Sequence, residues 1–357
     1  VTAAYECTNN RRCCGSGAAV TAYAVTRKDP MAEFDLPEGH QFDAMDSAAA
    51  LDAIMERIGG SHRATAHMGV TERLVATRDI INNMFANAPI VSAVTAADAG
   101  GIPAEWVVAP GANSDRRLLY IHGGAFYFGS PKSHRVITSK LSEISNAAVL
   151  AIDYRLMPEH NRMASVEDCR TAYDWMLQQG PDGAAPATTV YVAGDSAGGN
   201  LTLSLLAWVR DSGRRAPNAA VALSPVTDAR MVSPSLSTNM DTDIILKPLA
   251  KGLNKVPRWL LFAVQWWSGK AKPTAPAISP LLGDLSGLPP ILVQVSDHEM
   301  LRDDGRRYVN KAVAAGTDAT LQRWQHVPHV WQIFYPELPE AEASFEQIKL
   351  FLQRHSA

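Results

Sequence analysis

The sequence predicts an α/β fold, a mostly parallel sheet with helices on both faces. Three observations carry that expectation. From Arg117 onward, short apolar runs alternate with amphipathic stretches of helical period, the pattern of a buried parallel sheet with helical crossovers. One of the runs, Thr189 to Ala193, passes through a glycine-rich turn straight into an apolar helix. Two segments stand outside the alternation, a helical region before Pro89 and one long insertion between Asp228 and Ala277.

In chain order, Ala44, Ala48, Leu51, Met55 and Ile58 recur at three- and four-residue steps, so the stretch from Phe42 to about Ala88 reads as helix, with a further helical stretch over Thr71 to Met84. After Pro89 the pattern changes to β-type runs at Val91 to Thr95, Glu105 to Val108 and Arg117 to Ile121. Helices are then expected at Ser133 to Ser145, Ser165 to Gln179, Leu201 to Asp211, Asp304 to Ala315 and Glu340 to Arg354. The intervening strands fall at Ala147 to Ile152, Thr189 to Ala193, Ala219 to Leu223, Ile291 to Val295 and Ala319 to Trp324. The insertion is far longer than the roughly two to six residues that join such units. It and the N-terminal helices are candidates for a cap over the strand ends. The expected organisation is a leader or disordered extension at 1–30, an N-terminal helical cap region at 31–90, a catalytic α/β domain over 91–227 and 278–357, and a cap insertion at 228–277.

Composition narrows the function. At ~150 residues per domain, 357 residues suggest two domains, although one α/β domain often runs past ~250. A 46% hydrophobic content excludes a disordered chain, and 24 Gly without a three-residue period exclude collagen. With 33 basic against 36 acidic side chains there is no basic footprint for nucleic acid. No apolar run approaches the ~18–20 residues of a membrane span; Trp259 to Trp267 is broken by Gln265 and preceded by Arg258, so no stable membrane insertion is expected. Cys7, Cys13 and Cys14 crowd the first residues and Cys169 stands alone, which is not a disulfide framework, and a cytoplasmic chain with reduced thiols is expected. Export is the alternative: Arg11 and Arg12 precede a weakly apolar stretch to Val25, but Gly15, Ser16 and Thr21 make it a poor signal core.

The chemistry concentrates in Gly194-Asp195-Ser196-Ala197-Gly198-Gly199, between a buried strand and a helix. In that setting G-x-S-x-G reads as a nucleophile elbow: small residues permit a sharp turn, Ser196 projects from its tip, and the helix N-terminus offers free amides, Ala197 among them. A phosphate-binding turn is the competing reading, weakened by the absence of G-x-x-x-x-G-K-[ST]. The strand Arg117 to Ile121 ends in His122-Gly123-Gly124-Ala125-Phe126, a second turn able to supply amides to the same oxyanion. The candidate donors are Gly123, Gly124, Ala125 and Ala197, each worth about 3 kcal/mol if correctly aimed. His122 reads as a residue that orients this turn rather than as a base.

Those two motifs, together with Asp153-Tyr-Arg-Leu-Met-Pro-Glu-His160, resemble the hormone-sensitive-lipase-like esterases, bacterial lipase family IV, over about residues 90 to 355. The resemblance implies an α/β-hydrolase whose cap comes from the N-terminal region and a late insertion. It also implies a serine carboxylic ester hydrolase acting on short- to medium-chain acyl esters through an acyl-enzyme. Two departures stand out. Ala125 replaces the third glycine of H-G-G-G and alters the acyl pocket, whereas Arg162-Met163-Ala164 replaces F-P-A, with an effect expected on packing alone.

The general base should follow the last strand, where His326 and His329 both occur; His329-Val330-Trp331 is similar to the family's H-G-F, which makes His329 the base and His326 a loop residue. The acid should follow strand Ile291 to Val295. Matching Glu299-Met-Leu-Arg-Asp-Asp304 to the family's D-P-L-R-D-E selects Glu299, with Asp297 as the alternative, and leaves Asp303 and Asp304 to cap the next helix. No metal or cofactor is expected, because His326-x-x-His329 lacks nearby carboxylate or thiolate ligands and His298-Glu299 lacks the second His of H-E-x-x-H. Trp259, Trp266 and Trp267, with Leu260, Leu261 and Phe262, read as cap-helix packing before pocket lining. The expected partner is a small-molecule ester, with a homodimer left open; a lactonase or amidase using the same triad, or a non-catalytic ligand-binding protein on this fold, are the alternatives.

Overall fold

A computed structural model of the protein describes residues 39–43, 47–85, 88–250 and 256–356. The stretch expected as a leader, 1–30, lies outside them. Strands β1 (His40–Phe42), β2 (Ala93–Asp98), β3 (Pro103–Val108), β4 (Asn113–Ile121), β5 (Ala147–Ile152), β8 (Thr189–Asp195), β9 (Ala219–Leu223), β10 (Ile291–Ser296) and β11 (Ala319–Trp324) form one sheet. Its order is β1-β11-β10-β9-β8-β4-β5-β3-β2. Only β2 with β3 and β3 with β5 pair antiparallel in it. A two-stranded ribbon of β6 (Gln179–Gly180) and β7 (Gly183–Ala184) stands apart.

Every residue of β5, β8, β9 and β10 is buried, as strands covered on both faces require. The side-chain period of two sorts them onto two cores. Leu118 and Tyr120 of β4 pack with residues of α3 (Arg135–Ser145) and α10 (Pro339–Arg354). Their neighbours Leu119 and Ile121 pack with α4 (Arg162–Met176) and α5 (Ser196–Asp211) on the other face. Farther along that second face, Ile291, Val293 and Val295 meet Tyr308 and Val309 of α9 (Arg302–Ala314). Cys169 is buried in the α4 core.

The N-terminal region departs from expectation. In place of helix from Phe42, residues His40–Phe42 add a parallel edge strand to β11, with Phe42 opposite Trp324 and their rings stacked at 4.2 Å. Three residues are too few to show a period, and the partner lies far along the chain. Two helices follow, α1 (Ala48–Thr65) and α2 (Val70–Met84). Helix α4 begins earlier than expected because Asn161 caps it, its side chain accepting from Met163 N at 3.0 Å and Ala164 N at 3.2 Å.

Between Asp228 and Ala277 lie two short helices, α6 (Ser235–Thr238) and α7 (Lys247–Ala250), and the longer α8 (Arg258–Gly269). Asp303 and Asp304 hold the root of this insertion rather than merely capping α9. Asp304 accepts from Thr227 N at 2.7 Å and Asp228 N at 3.0 Å, and Asp303 from Ser235 N at 2.9 Å. Burial pushes the Asp304 carboxyl up to about 6, against the pull of those donors. On α8 the tryptophans neither pack inward nor line a pocket: Trp259 is 72% and Trp267 77% exposed, with Lys270 over the Trp267 ring and Lys272 over Trp266. Among the described residues no helix is long and apolar enough to cross a membrane.

Candidate active site

Strand β8 runs through Asp195 and α5 starts at Ser196, whose φ of 51° lies in the left-handed region that non-glycine residues avoid. Such a conformation costs roughly 1–3 kcal/mol and persists only because the surroundings hold it. They do so at close range. A side chain on Gly194 would come within 2.6 Å of Ile121 O and Gly198 O, and one on Gly198 would collide with Ile121 O. Gly198→Ala is therefore expected to lose about 1–3 kcal/mol of stability through overpacking, read as a lowered thermal midpoint with a matching loss of serine reactivity.

The elbow delivers the Ser196 hydroxyl to His329, with Oγ 2.9 Å from Nε2. On the other side of the ring, Nδ1 lies 2.6 Å from Glu299 Oε2. Glu299 is itself held, its Oε1 accepting from Ser296 N at 3.1 Å. All three side chains are buried. Burial alone would lower the His329 pKa, but the hydrogen bond and charge of Glu299 outweigh it, so the imidazole holds a proton more tightly than an ordinary histidine.

Asp297, the alternative acid, points elsewhere. Its carboxylate accepts from Arg323 at 2.8 Å and 3.1 Å and from Gln41 at 3.3 Å, beside the β1 edge. His326 also stays out of the line, exposed with its ring 4.6 Å from that of His298. Among the described residues no group of three His, Cys, Asp or Glu side chains is arranged to hold a metal ion.

The turn after β4 is built from consecutive left-handed residues, Gly124 (φ 116°), Ala125 (φ 54°) and Phe126 (φ 67°). The N–H groups of Gly124, Ala125 and Ala197 have no acceptor among the described residues and belong to residues that border Ser196. Gly123 drops out of the expected donor set, because its N–H donates to Asp195 Oδ1 at 2.9 Å. The same carboxylate accepts from Tyr120 at 2.6 Å and faces His134 Nε2 at 3.4 Å. Burial would raise its pKa, but His134 and Tyr120 reverse the sign and keep it ionised. Asp195 thus ties the elbow to the oxyanion turn, a role legible only as the unassigned x of G-x-S-x-G. His122 is buried, and burial pulls its pKa down to about 3; stacked on Tyr154 at 4.3 Å with Nδ1 2.7 Å from Gly123 O, it orients the turn as a neutral ring.

A family model described as alpha/beta hydrolase fold matches residues 118–333. An esterase structure from the bacterial hormone-sensitive lipase family superposes with a TM-score of 0.74 at 36% identity, covering 87% of this chain and 99% of that one. The chain belongs to the alpha/beta hydrolases, in their hormone-sensitive-lipase-like branch. The hydrolase is also 40% identical over 254 residues to an acetyl-hydrolase of Streptomyces hygroscopicus, covering 71% of this chain and 80% of that protein. A carboxylesterase/phospholipase of Mycobacterium tuberculosis is 33% identical over 260 residues, covering 71% of this chain and 67% of that protein.

In this hydrolase two hollows meet at Ser196 and Ala125. The first, of about 330 Å³, is bordered by Val264, Gln265 and Ser268 of α8 and by Arg162. The second, of about 210 Å³, is bordered by Ile58, Ile80 and Met84 from α1 and α2 and reaches His329. Among the described residues, the N-terminal helices border the second hollow, whereas the insertion borders both, Leu246 lining each. Arg162 is the second residue the motifs did not mark as part of the site.

Proposed function

We propose that this hydrolase is a carboxylesterase that cleaves short- to medium-chain acyl esters through an acyl-enzyme. The observation that carries the reading is the hydrogen-bonded line from Ser196 through His329 to Glu299 at the meeting point of two largely apolar hollows. Ser196 attacks the ester carbonyl while His329 takes its proton; Glu299 holds the ring's tautomer and stabilises the imidazolium. The amides of Gly124, Ala125 and Ala197 receive the oxyanion. His329 then protonates the departing alcohol and activates the water that releases the acid. The N-terminal helices and the 228–277 insertion act as a two-part cap, the insertion over the first hollow and both parts over the second. Names borne by the relatives, acetyl-hydrolase and carboxylesterase, support the same chemistry.

Hollows of this size sit at or below the low end of the roughly 300–1,000 Å³ typical of small-molecule pockets. Across p-nitrophenyl acyl esters, kcat/KM is expected to peak between the acetate and the octanoate and to collapse at the palmitate. The matching anilides should be far slower, and a radiolabelled organophosphate should modify Ser196 stoichiometrically. Anilide turnover matching the esters would favour an amidase, and an unlabelled Ser196 would sink the triad.

A further inference from the structure

Among the described residues, Arg162 is the one charged side chain bordering the first hollow, and it is 5% exposed. Its guanidinium lies 3.4 Å over the Phe126 ring, so one face is covered and its plane is set. Nη2 donates to Asn200 Oδ1, while Asn200 Nδ2 is taken up by Val226 O at 2.7 Å and Ile278 O at 3.0 Å, which fixes that amide. Nη1 is buried with no hydrogen-bond partner. No carboxylate among the described residues is paired with this cation. The titratable groups acting on it are Tyr154 and Cys169, both raised by burial and neutral at ordinary pH. Burial draws the Arg162 pKa down to about 10, which still leaves it charged near neutral pH.

A buried cation with an unpaired donor is poorly compensated, and pairing with an anion is the usual remedy. An arginine fork suits a carboxylate, which meets it through charge-assisted hydrogen bonds. Asn200 follows Ser196 on α5 and, with Arg162, borders the same hollow. The guanidinium, hydrogen-bonded to Asn200, thus borders the same hollow as the nucleophile, where a carboxylate carried by a bound ester would meet it.

We propose that Arg162 is a carboxylate-binding subsite of the first hollow, selecting esters whose acyl or alcohol part ends in a free carboxylate. The inference rests on the esterase reading above and adds a substrate class to it. Two probe pairs test it: p-nitrophenyl hydrogen glutarate against p-nitrophenyl glutaramate for the acyl side, and para-carboxyphenyl butyrate against para-carbamoylphenyl butyrate for the alcohol side. In the wild-type enzyme, one carboxylate probe should exceed its neutral isostere in kcat/KM by about tenfold or more, as a charge-assisted pair in a buried site implies. Arg162→Gln should remove most of that advantage, lowering the carboxylate probe far more than its isostere, and Arg162→Lys should restore part of it. Absence of a carboxylate preference on both sides overturns the proposal with the wild-type protein alone, whatever the folding of the variants. A preference that survives Arg162→Gln overturns it as well. Failure of all four probes together with an unlabelled Ser196 would instead strike the esterase reading itself.

Discussion

Ser196→Ala is expected to lower ester turnover by at least about 10⁴-fold while leaving the thermal unfolding transition nearly in place. Removing Oγ takes away the nucleophile and the 2.9 Å contact to His329 Nε2, but no backbone hydrogen bond. His329→Ala should cost a comparable factor, and the double variant should be little worse than either single one, because nucleophile and base act as a unit. The measurement is kcat/KM on p-nitrophenyl butyrate beside a melting curve. A Ser196→Ala enzyme that keeps a tenth of its activity would show that another group attacks the ester.

The second large effect separates two carboxylates that lie two residues apart. Glu299→Gln is expected to lower kcat by about 10³–10⁴-fold, since an amide in the acid's place favours the wrong imidazole tautomer and cannot stabilise the imidazolium. Asp297→Asn should change kcat only a few-fold and act chiefly on stability, by weakening the pair with Arg323. The pH profile supplies an independent reading. His329 must be neutral to accept the serine proton, and Glu299 raises its pKa above the ordinary 6.5. The acid limb of kcat/KM should accordingly titrate above 6.5 in the wild-type enzyme. In Glu299→Gln, burial is less opposed, so the limb of the residual activity should move toward lower pH. A larger loss in Asp297→Asn than in Glu299→Gln would reverse the assignment of the acid.

The parts of this protein legible in its sequence are those whose signal is local. Strands β5, β8, β9 and β10 are largely apolar runs, and the turn that makes Ser196 project requires glycine at 194 and 198, so elbow and sheet could be read a few residues at a time. Boundaries were less legible where a side chain sets them, as Asn161 does by capping α4 so that it starts at Arg162, three residues before the expected Ser165. Strand β1 was invisible because its three residues acquire strand character only from β11, hundreds of positions later.

At the site, Ser196 was legible as the elbow residue from a short motif, and His329 as the candidate base from its place after the last strand together with the resemblance to H-G-F. The resemblance already favoured Glu299 over Asp297, but both sit in one turn, and only the tertiary arrangement brings His329 to one and Arg323 to the other. The same holds for the Gly123 amide, claimed by Asp195 from a neighbouring strand, and for Arg162, a cation buried at the hollow that Ser196 borders, with no acid among the described residues to pair with it. Periodicity and turn chemistry act over a few residues and are written into the chain directly. Which charge faces which partner depends on contacts between distant segments, and those exist only once the sheet has brought the segments together.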